Sequence, residues 1–170
     1  MVEITPRGEA ARELFLSGCN CAQSVAIAYA DIIGLDRETV MRIAQPFGAG
    51  FGRLREVCGT FSGAMFVLGQ LYSSSKPDRD NKAYVYSLVQ EFADRFYAAR
   101  GTLLCREILG LAEGEGTDPT NPSERTAEYY ASRPCAMVCA ETASLLEQFL
   151  RELDERGAGV NKVGGDATIQ

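Results

Sequence analysis

Residues 82–101, KAYVYSLVQEFADRFYAARG, carry Tyr84, Leu88, Phe92 and Phe96 at intervals of four, with Val85, Val89 and Tyr97 beside them. Apolar side chains that recur every three to four residues line one face of a helix. The spacing therefore predicts a core-facing helix of about 20 residues that Gly101 ends. Its aromatic stripe is read as core and not as a cofactor box.

Helix signals continue on both sides of this stretch. Thr5 and Pro6 form an N-cap followed by proline at the first helical position, opening a helix through Ala10, Leu14 and Phe15 that stops at Gly18. Asn20 caps a second helix with Cys21, Val25, Ala28, Tyr29 and Ile32 on one side and Gly34 at its end. Asp36 starts a third, which Pro46 and the glycines at 48, 50 and 52 terminate. A fourth begins near Glu56 to Cys58 and carries Phe61, Met65, Leu68 and Tyr72. Beyond Gly101, a short helical turn spans Cys105 to Leu109, Gly110 to Pro122 is a loop, Ser123 caps a small helix, and Pro134 opens a last long helix. That helix has Leu145, Leu146, Phe149, Leu150 and Leu153 on its apolar face. No stretch alternates strictly as strands do. The expected fold is all-α, a single-domain bundle of about five to seven helices over residues 1–156, followed by a Gly-rich tail at 157–170.

Composition narrows the function. Hydrophobic residues make up 46% of the 170 and charged residues 24%, which suits a globular domain. The net charge of -6 is spread without basic runs, so nucleic acid is not an expected partner. No apolar window reaches the roughly 18 to 20 residues that span a bilayer, and membrane insertion is not expected. The first residues, MVEITPRGE, lack the basic start and apolar core of a secretory signal, and the reading is cytoplasmic. The six cysteines depend on that choice: structural disulfides outside the cell, metal or redox chemistry inside it.

The chain has no histidine, which excludes a Cys-His pair, a Ser-His-Asp triad and His-held zinc or haem within it. A metal here would be held chiefly by thiolates. Cys21, Cys58, Cys105 and Cys135 come from four regions, each at a predicted helix N-terminus, where unpaired N–H groups favour thiolate over thiol. The expectation is sulfurs poised to ionise. Arg53, Arg55, Arg106 and Arg133 stand beside these cysteines in sequence, as electropositive neighbours or as ordinary surface charges. Free cysteine is also a common apolar filler, and any one of the six could be that. Neither Cys-x-x-Cys nor Cys-x-x-Cys-His occurs. Cys135 and Cys139 share a helical face, as two ligands of one centre or as two core positions.

Gly48-Ala-Gly-Phe-Gly52 follows a helix and lacks a Lys-Ser/Thr ending, so it fails both nucleotide fingerprints. It is read as a tight turn that brings backbone close to Cys58 or to what Cys58 holds, with Gly59 and Gly63 allowing another close approach. Glu113 and Glu115 lie in a polar loop and are read as solvated charge.

Taken in order, NCAQS at 20–24, FGAGFGRLREVCGTFSGA at 47–64, CREILG at 105–110 and Cys135 before the final amphipathic helix resemble the C_GCAxxG_C_C family of redox-active proteins. The resemblance runs from about residue 10 to 153. It implies a largely helical protein whose signature cysteines correspond to Cys21, Cys58, Cys105 and Cys135. A similar module accompanies haem in split-Soret cytochromes, where an iron-sulfur centre has been described. Thr60 stands where the motif usually has alanine, and Cys19 and Cys139 are additional to the signature, Cys19 as a candidate accessory thiol. The expected function is a redox protein whose four cysteines converge on an iron-sulfur cluster for electron transfer with a partner protein. The alternatives are a metal-free thiol-disulfide protein, a structural four-cysteine zinc site, or a helical interaction module. Whether the protein is an enzyme, and its oligomeric state, a homodimer included, are left open.

Overall fold

The computed structural model describes residues 2–112, 115 and 120–160. Its helices are α1 (Pro6–Leu16), α2 (Cys21–Ile27), α3 (Ala30–Ile33), α4 (Arg37–Ala44), α5 (Gly59–Tyr72), α6 (Arg79–Arg100), α7 (Cys105–Ile108), α8 (Ala127–Ala131) and α9 (Cys135–Glu155). Of these α1, α2, α4, α5, α6 and α9 exceed five residues. No strand occurs among the described residues, only an isolated antiparallel bridge between Val57 and Leu104. The bundle is all-α, as its periodicities require.

The sequence signals act where they stand. The Thr5 hydroxyl accepts from Gly8 N–H at 3.2 Å and starts α1 at Pro6. Asn20 and Gln23 form a reciprocal capping box at the head of α2, with N to O distances of 3.0 and 2.9 Å. Gly101 ends α6 in the left-handed conformation with its N–H on Tyr97 O at 2.7 Å. Leu88, Phe92 and Phe96 of α6 are buried, whereas Tyr84, at the outer end of the stripe, is 38% exposed. Phe61 of α5 stacks on Phe92 at 5.9 Å and meets Phe96 edge-on at 5.7 Å, and Phe92 lies 5.8 Å from Phe149 of α9. This cluster joins α5, α6 and α9, while α1 lies along α9 and α2 against α5.

Two boundaries differ from expectation. The second helix breaks at Ala28 and Tyr29, because the Arg7 guanidinium donates to Ala28 O at 2.6 Å and leaves Ile32 N–H to bond Tyr29 O at 3.2 Å. The small helix after the long loop is capped by Thr126, whose hydroxyl accepts from Tyr129 N–H at 3.1 Å, and not by Ser123. Part of the loop from Gly110 to Pro122 and the end of the Gly-rich tail lie outside the described residues.

Contact between α2 and α5 needs bare backbone. A Cβ built on Gly63 would sit 2.6 Å from Ala22 O, and one on Gly59 3.1 Å from Cys21 Cβ. A Cβ on Gly69, on the same helix, would find only Ser73 Oγ at 3.9 Å. Gly63→Ala is therefore expected to cost about 1 to 3 kcal/mol by overpacking, and Gly69→Ala to add about 0.5 to 1 kcal/mol through helix propensity. Urea unfolding of the two variants checks this; equal shifts would refute the role given to Gly63.

Candidate functional site

Each signature cysteine stands at a helix start, and a different local device puts it there. Cys21 is the first residue of α2 behind the Asn20 capping box, and the Asn20 amide also donates to Gln45 O at 2.9 Å. Cys135 opens α9 after Pro134, whose carbonyl accepts from Val138 N–H at 2.9 Å. Cys58 and Cys105 are paired by backbone: Cys58 N–H donates to Leu103 O at 2.8 Å and Cys105 N–H to Glu56 O at 2.7 Å, on either side of the Val57–Leu104 bridge. Arg106 N–H continues the pairing onto Arg55 O at 3.1 Å, and the Arg106 side chain pairs with Glu56.

The four cysteines border one small cavity, together with Gly59, Thr60, Ile108, Leu109 and Val138. All six cysteines of the chain are free thiols. Cys21 lies within hydrogen-bonding reach of Cys135 and of Cys139, one turn further along α9. Among the described residues, no three cysteine or carboxylate side chains already stand in the arrangement that holds a metal ion. Cys19 is elsewhere: its thiol donates to Met41 Sδ at 3.9 Å and it does not border the cavity.

The glycine stretch packs against Cys105 and Asn20. A Cβ on Gly50 would sit 2.8 Å from Cys105 Cβ, and one on Gly48 2.5 Å from the Asn20 side chain. Gly52 N–H closes a helix-like turn on Gly48 O at 2.8 Å, but Ala49 (φ 54, ψ 33), Gly50 and Phe51 are left-handed. Arg53 and Arg55 follow with φ of 78 and 61. Each such non-glycine residue costs roughly 1 to 2 kcal/mol. The pairing of Arg55 and Glu56 with residues 105 and 106 holds the segment in that form.

The electrostatics correct one expectation. Burial pushes the Cys58 thiol up to about 11, against the hydrogen bond from Thr60. Burial also raises Cys105, against the charge and hydrogen bond of the Arg55 guanidinium. The hydrogen bond to Cys21 and then burial raise Cys135. For Cys21 the bond with Cys135 works downward, but the contact with Cys139 and burial outweigh it. In the metal-free protein, burial and the contacts between the sulfurs outweigh the helix ends and favour the thiol form.

Arginines nonetheless surround the group. Arg55 is only 4% exposed. Arg125 lies over Phe15 and Tyr129 at 4.6 and 4.9 Å, Arg133 over Tyr129 at 4.7 Å, and both favour ionised Cys135. Arg100 pairs with Glu141, and burial lowers its own pKa. Sequence reasoning missed Arg100 and Arg125, because only the packing of α6, α8 and α9 brings them here. Arg106 is the surface ion pair that its sequence context allowed. Glu115 is exposed and accepts from Ala112 N–H at 3.0 Å, while Glu113 lies outside the described residues.

A comparison with known protein families matches residues 19–149 to the family described as "Putative redox-active protein (C_GCAxxG_C_C)". The match covers most of the chain, and the chain belongs to this family. Neither the comparison with curated proteins nor that with solved structures returns a match.

The thiol chemistry sets a pH dependence. As pH rises past the ordinary thiol range near 8.5, the unfolded chain releases protons that folded Cys58 keeps until about 11. The reduced, metal-free protein is thus expected to lose stability progressively across that window. Urea midpoints measured between neutral pH and the upper end of the window check this, and a constant or rising midpoint would contradict it.

Proposed function

We propose that the protein is an electron carrier in which Cys21, Cys58, Cys105 and Cys135 hold one iron-sulfur cluster. The observation that carries the reading is that these four cysteines, drawn from four separate segments, border the same cavity. The donor set fits the group: four sulfurs, no competing carboxylate on the cavity wall, and apolar walls from Ile108, Leu109 and Val138. Such a cluster supplies one-electron redox chemistry when bound. Arg55, Arg100, Arg125 and Arg133 offset the charge that accumulates when the thiols give up their protons. Because the thiols hold those protons tightly, cluster assembly is coupled to their release and is favoured as pH rises. The redox partner is a protein, and a reducing cytoplasm is the compartment that keeps such thiols available. Among the described residues, no helix is long and apolar enough to cross a membrane.

A second reading rests on the contact between Cys21 and Cys135. In it the two thiols give two electrons and two protons to a disulfide acceptor, forming one S–S bond here and releasing two thiols there. A zinc ion held by the same four sulfurs is the non-redox alternative.

Anaerobic purification followed by iron and acid-labile sulfide analysis separates these readings. The expected result is iron and sulfide in the native protein, lost to near background in Cys21→Ser, Cys58→Ser, Cys105→Ser and Cys135→Ser and kept in Cys19→Ser. A colourless, iron-free protein after reconstitution, with a reversible Cys21–Cys135 disulfide in mass mapping, would replace the cluster with the second reading. Stoichiometric zinc would establish the third.

A further inference from the structure

The Cys58 sulfur lies 3.2 Å from Thr60 Oγ1, which lies 3.0 Å from Thr142 Oγ1. Thr142 Oγ1 in turn lies 2.6 Å from Val138 O. Both threonines are buried, and Thr60 borders the cavity. A hydroxyl carries one hydrogen, which it can rotate, and two lone pairs. The row's hydrogens therefore have two arrangements. With a hydrogen on the sulfur, Cys58 donates to Thr60, Thr60 to Thr142 and Thr142 to the Val138 carbonyl. With none, as on a metal-bound sulfur, Thr60 turns its hydrogen onto the sulfur and Thr142 donates to Thr60, giving up the Val138 carbonyl.

Resting on the reading of Cys58 as a ligand, we infer that Thr60 is a positioning residue that supplies an O–H donor to the Cys58 sulfur when that sulfur binds metal. Thr142, donating to Thr60 Oγ1, holds the Thr60 hydroxyl in place. A hydrogen bond to a ligating sulfur raises the reduction potential of a cluster, and a second partner behind a ligand strengthens metal binding. The methyl groups of the two threonines contribute packing only. The effect thus belongs to the hydroxyls, which serine retains and alanine or valine does not.

The test uses the full chain, reduced and metal-free, titrated with cobalt(II) and followed by its thiolate-to-cobalt absorption. The iron-loaded protein is then followed by potentiometric titration. Thr60→Ala is expected to weaken cobalt binding about tenfold and to lower the midpoint potential. Thr60→Ser should restore both towards the native values, and Thr142→Val should shift both in the direction of Thr60→Ala by less. Native affinity and potential in Thr60→Ala would overturn the inference while leaving the cluster reading in place. So would a Thr60→Ser variant as impaired as Thr60→Ala, which would mean that the methyl group matters. Thr60-dependent cobalt binding in a protein that takes up no iron would sink the cluster and keep the hydroxyl's role. Absence of any thiolate-to-cobalt band in the native protein would overturn both.

Discussion

Two backbone hydrogen bonds, from Cys58 N–H to Leu103 O and from Cys105 N–H to Glu56 O, do the most to define the site. They tie a segment that leads into α5 to one that leads into α7, and so bring two cysteines 47 positions apart in sequence to one cavity wall. The other two cysteines arrive on rigid helices. Cys21 comes with α2, which glycines at 59 and 63 allow to approach α5 through backbone, and Cys135 comes with α9, fixed against the aromatic core. The bundle thus works as a clamp whose jaws are helix starts.

The cost of that clamp is concentrated next to it. The run from Ala49 to Arg55 contains four non-glycine residues in the left-handed region, a conformation the chain adopts only where surrounding structure imposes it. Here the imposing contacts are the pairing with residues 103–106 and the close approach of Gly50 to Cys105. The same segment delivers the buried Arg55 guanidinium to Cys105. Backbone strain and a buried cation thus meet beside the Cys105 sulfur.

Much of this was legible in the amino-acid sequence, for physical reasons. Capping residues and terminal glycines act locally, so Thr5, Asn20, Asp36 and Gly101 mark real helix ends. The Leu88, Phe92, Phe96 stripe reports burial directly because periodicity is a property of one helix. The ordered cysteine segments were sufficient to indicate the family. What failed depends on long-range contacts. The break in the second helix is made by Arg7, 21 positions away from Ala28. The expectation of ionised sulfurs weighed helix ends and neighbouring arginines but could not weigh burial, which dominates at Cys58 and Cys105. The left-handed turn carries alanine, phenylalanine and arginine where glycine would have signalled it, and Cys19 and Cys21, one residue apart, diverge to Met41 and to the cavity.

Iron K-edge X-ray absorption on the anaerobically purified full chain tests the shared thiol centre most directly. The account predicts a first shell made of sulfur with neighbouring iron scatterers beyond it. A first shell of oxygen or nitrogen, or no iron signal at all, would contradict it.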